Sequence, residues 1–352
     1  MTGPVMIGAA DMAGADRLVR VIDVLADVFA DLSSGRTWSP PRTVVQHGPQ
    51  RELLAGTAVW ERRGVGSVKI TTLTPDNPER GLPLIHGVVV LTDLETGRIT
   101  ALLDGAELTA VRTGAVAGLA TRLCADEAAR DLAVIGAGVQ ARAAVRAVCA
   151  VRPIGSIRVF SRNRARTEEF ARWARGAAGR PVTVTVCDTA EEAVAGAAVV
   201  CTTTSTSGRT ALVDAAWVAP GAHVNVIGGT HEDAIEVDPA LLASAFVVVE
   251  ERAAALAEAG EVRAAVARGL LGEGDLHELG ELVDGKAASD GRTSVFRCVG
   301  MAVEDTAAAA ALCEAAQAAG DTGDAGDSRD AADAGDSGDG GGRISRSRGS
   351  GP

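Results

Sequence analysis

The stretch DLAVIGAGVQARAAVRAV, residues 131–148, joins an apolar strand to a helix through Gly136, Ala137, Gly138, Val139, Gln140 and Ala141. In this order the first glycine permits a tight turn and the second lets the backbone approach a pyrophosphate, while Ala141 in the third glycine's place keeps helix and strand close. The helix start adds unpaired N–H groups and a positive partial charge, which suit a phosphate anion. The glycine pattern alone is a weak signal, but here it follows an apolar strand and opens a helix, as the dinucleotide fingerprint requires. A fold of this kind that prefers NAD ends its second strand with Asp or Glu, whereas RVFSRNRAR offers Ser161, Arg162 and Asn163. A guanidinium at Arg162 matches a 2′-phosphate in charge and bidentate geometry, so NADP(H) is expected over NAD(H); the alternative is a solvated basic helix start.

Cationic residues ahead of the turn could hold an anion. AELTAVRTGAVAGLATRLCA, residues 106–125, reads as a helix whose one charge over the dozen positions after Glu107 is Arg112. Burying an unpaired guanidinium costs several kcal/mol, so Arg112 must face an internal carboxylate, a cofactor phosphate or a substrate carboxylate. Lys69 in GSVKITTL and Arg42 in SPPRTVV are open to the same readings, or to simple solvation.

The elements around these residues divide the chain. From 119 to 296, short β-branched runs (LAVIG, SIRVFS, VTVTVC, AVVCTTT, HVNVIG, FVVVE) alternate with helical segments. That alternation indicates βαβ units and a doubly wound parallel sheet of Rossmann type, an α/β fold. Residues 1–118 differ: an amphipathic helix at RLVRVIDVLADVFADL precedes strand candidates GVGSVKITTL, LIHGVVVLTD and RITALLD, an α+β pattern. From 319 to 352 the sequence is rich in Gly, Asp and Ser, with Asp321, Asp324 and Asp327 opening a regular series. Such a segment has little apolar surface to offset chain entropy, so a disordered tail is expected.

Composition excludes several classes. A formal net charge of -12 and 3% aromatic residues argue against a nucleic-acid surface, which needs clustered cations and stacking rings. With no tyrosine, the chain lacks the proton donor of short-chain dehydrogenases. The six cysteines (Cys124, Cys149, Cys187, Cys201, Cys298, Cys313) form no C-x-x-C pair, so buried thiols in a reducing compartment are expected and no metal site. No apolar run reaches the roughly 18 to 20 residues of a membrane span, and MTGPVMIGAADMAGADRLVR lacks the layout of a signal peptide; a cytoplasmic protein is expected.

Taken in chain order, Arg42, VGSVKITTLTPDNPERGLPLIHGVVVLTDLETGRITALLDGAELTAVRTGAVAGLA, VIGAGVQA and GRTSVFRCVGMAVED resemble the ornithine cyclodeaminase/mu-crystallin family over nearly everything but the tail. The resemblance implies that residues 1–118, closed by a returning C-terminal helix at 297–318, form a substrate-binding and dimerisation domain facing the nucleotide domain. It implies a homodimer, and strand edges that need cover point the same way. Arg42, Lys69 and Arg112 match the family's clamp for the carboxylate of an amino, imino or keto acid, with Val299 and Gly300 approaching substrate and nicotinamide. Arg112 and Thr113, the turn residues, Ser161 to Asn163, Thr202, Thr203 and Thr204, and Val226, Ile227, Gly228 and Gly229 match the cofactor side.

Departures from the family bear on the reaction. Where its cyclodeaminases carry an Asp base and, four residues on, a Lys, VIGGTHEDAIEV has Thr230 and Ala234; their acidic residue ahead of the lysine aligns near Ala55, with Glu52 close by. A reductase or dehydrogenase is therefore expected, moving hydride to or from the α-carbon of an imino or amino acid. An iminium already carries its activating charge and needs less acid/base machinery. Lys69, with His231 and Asp233 as a substitute proton relay past the fifth strand, are the expected catalytic groups. The alternatives are an ornithine or lysine cyclodeaminase that recycles bound NAD, and a crystallin-like NADP(H)-binding protein without turnover.

Overall fold

A computed structural model describes residues 3–48, 51–205, 208–229 and 233–327. The first sheet contains β1 (Val5–Ile7), β2 (Thr37–Trp38), β3 (Thr43–Gln46), β4 (Glu52–Trp60), β5 (Val65–Leu73), β6 (Ile85–Asp93) and β7 (Ile99–Asp104). Its order is β1-β7-β6-β5-β4-β2, with β3 also on β4; β4 to β7 form an antiparallel meander and β1 joins β7 in parallel.

In β5 the usual burial pattern is inverted: Ser67, Lys69 and Thr71 are buried while Val68 and Ile70 are exposed. Successive strand residues point to opposite faces, so the polar set covers one face as a unit. That face lies under the C-terminal helix Ala302–Asp327, where Thr306 hydrogen-bonds Ser67 at 2.7 Å, and small buried residues Ala307 to Ala311 let the helix approach. The helix runs on to Asp327, past residue 318, where composition places the start of the tail. Once its first turns are packed, each further residue adds a hydrogen bond without a new nucleation cost. The rest of the tail lies outside the described residues.

The second sheet is wholly parallel: β8 (Asp131–Ile135), β9 (Ser156–Phe160), β10 (Thr183–Val186), β11 (Val199–Thr202), β12 (His223–Val226), β13 (Phe246–Val249), β14 (Leu276–Glu278) and β15 (Ser294–Arg297), in the order β10-β9-β8-β11-β12-β15-β13-β14. The chain reverses direction across the sheet between β8 and β11, the switch point where such folds bind ligands at the strand ends.

Helix Gly105–Cys124 joins the two halves, so a domain boundary at 118 falls inside it. Asp104 caps it, accepting from the Ala106 and Glu107 N–H groups at 2.9 Å each. Its small residues allow close contact with helix Val139–Val151: a Cβ on Gly114 would lie 2.8 Å from the Ala143 carbonyl. No helix of the described residues is long and apolar enough to cross a membrane.

Candidate active site

The cofactor turn leaves β8 at Gly136, whose φ of 121° suits glycine alone and where a Cβ would come 2.4 Å from Thr203 Oγ1. Gly138 opens helix Val139–Val151 with empty space where its Cβ would be, no side-chain cap and no acid in the first turn. Free N–H groups and an unobstructed glycine fit a dinucleotide pyrophosphate. Ala137 and Gln140 are half-buried and Val139 is exposed. At the end of β9, Asn163 caps the next helix through Arg166 N–H at 3.0 Å, and the Ser161 hydroxyl meets Thr167 at 2.9 Å. Arg162 is exposed and has no ion-pair partner among the described residues, whereas nearby Arg164 pairs with Glu168 and Asp188.

A buried acid that sequence gives no reason to single out ties the neighbouring strand ends together. Glu236 accepts from Thr202 Oγ1 at 2.8 Å, from Thr204 N and Oγ1 at 2.7 and 2.6 Å, and from Gly228 N at 2.8 Å. Burial raises its pKa, and the threonine hydrogen bonds oppose that rise. Arg297, paired with Glu261 at 3.0 Å, donates to the Val226, Gly228 and Gly229 carbonyls from below. A Cβ on Gly228 would come 2.2 Å from Thr204 O, so the two strand ends meet at a glycine. Thr203 Oγ1 donates to Ile135 O at 3.2 Å, and Ile227 N donates to Thr202 O at 2.9 Å.

The second half of the site is a cavity of about 400 Å³ lined by Arg42, Lys69, Arg112, Val299, Gly300 and Asp305, with Leu54, Ala254, Ala257, Met301, Glu251 and Glu258 among the other wall residues. Lys69 Nζ donates to Asp305 Oδ1 at 2.9 Å and to Thr109 Oγ1. Burial, helped by the charge of Arg112, lowers its pKa against the opposing pull of Asp305. Arg112 donates through Nε to the same Asp305 oxygen at 3.2 Å and through Nη1 to Glu304 at 2.7 Å. Burial works against its charge, and Glu304 and Asp305 outweigh it, so the guanidinium is held charged. Arg42 pairs with Glu258 and donates to Val299 O at 3.1 Å. Thr113 is buried beside Arg112.

Two more buried acids fix the wall behind these cations. Glu250 accepts from Val299 N at 2.7 Å, from Gly300 N at 3.1 Å and from Cys298 Sγ at 3.0 Å. Glu304 accepts from Met301 N at 2.8 Å, so both of its oxygens are held, one by this N–H and the other by Arg112. Gly300 has φ 80°, and a Cβ there would reach within 2.8 Å of Arg112 Nη1, so the backbone rests directly on the guanidinium.

Asp233 is not part of this cavity. Its side chain is exposed and pairs with Arg209 at 2.7 Å, which holds its pKa down and makes it a poor proton donor. His231 and Thr230 lie outside the described residues. In the β4–β5 ladder Gly56 stands opposite Lys69 on the cavity face, while Ala55, paired with Ile70, belongs to the other face.

The model of the ornithine cyclodeaminase/mu-crystallin family matches residues 3–320. The chain belongs to this family. A Delta(1)-pyrroline-2-carboxylate reductase of Bacillus cereus is 35% identical over 302 residues, covering 84% of this chain and 91% of that one. The ketimine reductase mu-crystallin of Mus musculus is 34% identical over 284 residues, 80% of this chain and 86% of that one. Among solved structures, the Thermococcus litoralis Delta(1)-pyrroline-2-carboxylate reductase in complex with NADH and L-proline is similar with a TM-score of 0.83 and 29% identity, covering 90% and 98% of the two chains.

Within the ornithine cyclodeaminase/mu-crystallin family, the position resembling the cyclodeaminase lysine holds Ala234, fully buried. A Cβ on Gly260 would come 2.2 Å from Ala234 O, and one on Gly229 would come 3.1 Å from the Ala234 methyl. A lysine at this position would have to enter the packed interior.

Proposed function

We propose that the chain is an NAD(P)H-dependent reductase of small imino acids whose carboxylate sits on the imine carbon, with cyclic imines such as Delta(1)-pyrroline-2-carboxylate as the leading substrate class. The observation that carries this reading is the convergence of Arg42 from the segment before β3, Lys69 from β5 and Arg112 from helix Gly105–Cys124 on one cavity of about 400 Å³. Its size and its wall of Leu54, Ala254, Ala257 and Met301 suit a small ring. The relatives named above support the same chemistry.

Arg42, Lys69 and Arg112 bind the substrate carboxylate and fix the imine carbon in one position, which removes most of the orientational freedom of the encounter. Each cation keeps donors for this: Arg112 Nη2 and Arg42 Nη1 have no partner among the described residues. Gly136, Gly138 and the strand ends tied by Glu236 would hold the dinucleotide, and when bound its reduced nicotinamide supplies the hydride. As hydride reaches the carbon, the C=N π electrons move to nitrogen, and an iminium becomes a neutral amine. The amine then takes a further proton from Lys69, whose buried Nζ releases one more readily than an exposed lysine. Lys69 thus takes the role that Asp233 cannot.

NADP(H) is the preferred cofactor in this reading, supported by Arg162, which has no ion-pair partner among the described residues, and by the lack of an acid in the stretch RVFSRNRAR around the end of β9. The protein works as a homodimer. On the face of the first sheet away from the cavity, Thr57, Val68, Val90, Leu102 and Met6 lie in register across five strands, and Met6, Val68 and Ile70 are exposed. An apolar sheet face of this kind marks an interaction surface.

Incubation with NADPH or NADH and a panel of cyclic imino acids, open-chain keto acids with amines, and L-ornithine tests the reading. Cofactor loss matching amine formed, greatest with the cyclic imino acids, supports it. Ammonia released from L-ornithine without net cofactor change contradicts it and favours a cyclodeaminase.

A further inference from the structure

We propose that Asp305 recognises the positively charged nitrogen of the substrate, so that the site selects a protonated imine rather than any small carboxylate. This deepens the reading of the cavity as an imino-acid site and rests on it.

In such a substrate the nitrogen and the carboxylate hang on the same carbon. A group that binds the nitrogen must therefore lie beside the groups that bind the carboxylate. Asp305 meets this condition through a single oxygen: its Oδ1 receives both Lys69 Nζ at 2.9 Å and Arg112 Nε at 3.2 Å. Its Oδ2 has no hydrogen-bond partner among the described residues, and the residue lines the cavity. The arrangement leaves one charged acceptor open between two carboxylate-binding cations.

The other acids are differently occupied. Glu304 gives one oxygen to Arg112 and the other to Met301 N. Glu250 is taken up by Cys298, Val299 and Gly300. Glu258 pairs with Arg42 at a part-exposed position. Burial, together with the nearby Glu278 and Glu250, raises the Glu251 pKa and disfavours its charged form. A negative charge beside the imine nitrogen favours its protonated form, which is the form that accepts hydride.

The test is direct binding by calorimetry to the full-length protein, with and without saturating NADP+. The probes are L-proline, which carries the charged nitrogen, and cyclopentanecarboxylate, which has the same ring size and carboxylate but no nitrogen. The wild type is expected to prefer L-proline by at least about tenfold. Asp305→Asn is the informative substitution, because its amide oxygen still accepts from Lys69 and Arg112 while the second oxygen becomes an N–H donor facing the ligand nitrogen. This variant should lose the preference, with cyclopentanecarboxylate binding changed little. A wild type that binds both ligands equally overturns the proposal without any variant. Equal weakening of both ligands in Asp305→Asn also overturns it, leaving Asp305 as an anchor of the clamp. A wild type that binds neither ligand, with or without NADP+, removes the imino-acid reading itself.

Discussion

Lys69 Nζ lies 2.9 Å from Asp305 Oδ1 in a setting where burial, not its partner, decides the direction of the lysine pKa. The lowered pKa means that Lys69 loses its charge as pH rises through a value below the ordinary 10.5. Carboxylate binding should fall on that alkaline limb. Plots of kcat/KM against pH should show the limb in the wild type and its upward displacement in Lys69→Arg. Lys69→Met should lose about ten- to hundredfold in kcat/KM at neutral pH, the size of a hydrogen bond to a charged group.

Arg162→Asp should reverse the cofactor preference. In the proposed reading a guanidinium facing a 2′-phosphate is worth roughly 1.5 to 3 kcal/mol, or about ten- to hundredfold in affinity. An aspartate would repel that phosphate and accept from a free 2′-hydroxyl. Titrations of NADPH and NADH by nicotinamide fluorescence decide this; equal affinities in the wild type would mean that the arginine does not touch the cofactor.

His223 should make the fold acid-sensitive. It is buried between Ser294 Oγ at 2.9 Å and Asn225 Oδ1 at 3.2 Å, and Asn225 in turn reaches Thr121 on the helix that carries Arg112. Burial lowers its pKa from 6.5 to about 4. The unfolded chain therefore binds this proton more readily, so the stability present above pH 6.5 is lost as pH falls through about 4, by roughly 3 kcal/mol in all. His223→Gln should unfold at a lower pH than the wild type, when acid unfolding is followed by circular dichroism. An unchanged acid midpoint would show that other groups set it.

Gly114→Val should destabilise the junction between the two halves. Even a Cβ there would lie 2.8 Å from the Ala143 backbone, and backbone cannot move aside as a flexible side chain can. A cost of about 1 to 3 kcal/mol or more is expected, read as a lower denaturation midpoint, with Gly114→Ala intermediate.

The parts of the site legible in the sequence are those whose residue type is costly anywhere else. Gly136 sits where the turn needs glycine, Gly138 leaves open space at the start of the next helix, and Arg112 is the one charge over the dozen helix positions after Glu107. The supporting acids were illegible for the opposite reason. Glu236, Glu250, Glu304 and Asp305 look like surface acids in a sequence, and only the fold shows each facing backbone N–H groups or cations. The VGMAVED motif drew attention to the right segment without giving Glu304 and Asp305 a role. Position within a strand was likewise out of reach. Gly56 faces the cavity and Ala55 does not because of a ladder register that needs both strands, and β4 itself, interrupted by that glycine, is missing from the sequence-based elements. The short strands β14 and β15 were hidden too, since β15 enters the sheet between β12 and β13 through distant pairing rather than local pattern.

The central claim is that hydride passes to the carbon bearing the substrate carboxylate. The most direct measurement uses NADPH deuterated at the transferable nicotinamide position, with Delta(1)-pyrroline-2-carboxylate as substrate and mass and proton resonance analysis of the product. The account predicts proline carrying one deuterium at its α-carbon, in an amount equal to the NADPH oxidised. Proline formed from L-ornithine with ammonia released and no NADPH oxidised, while the imine is left unreduced, would contradict it.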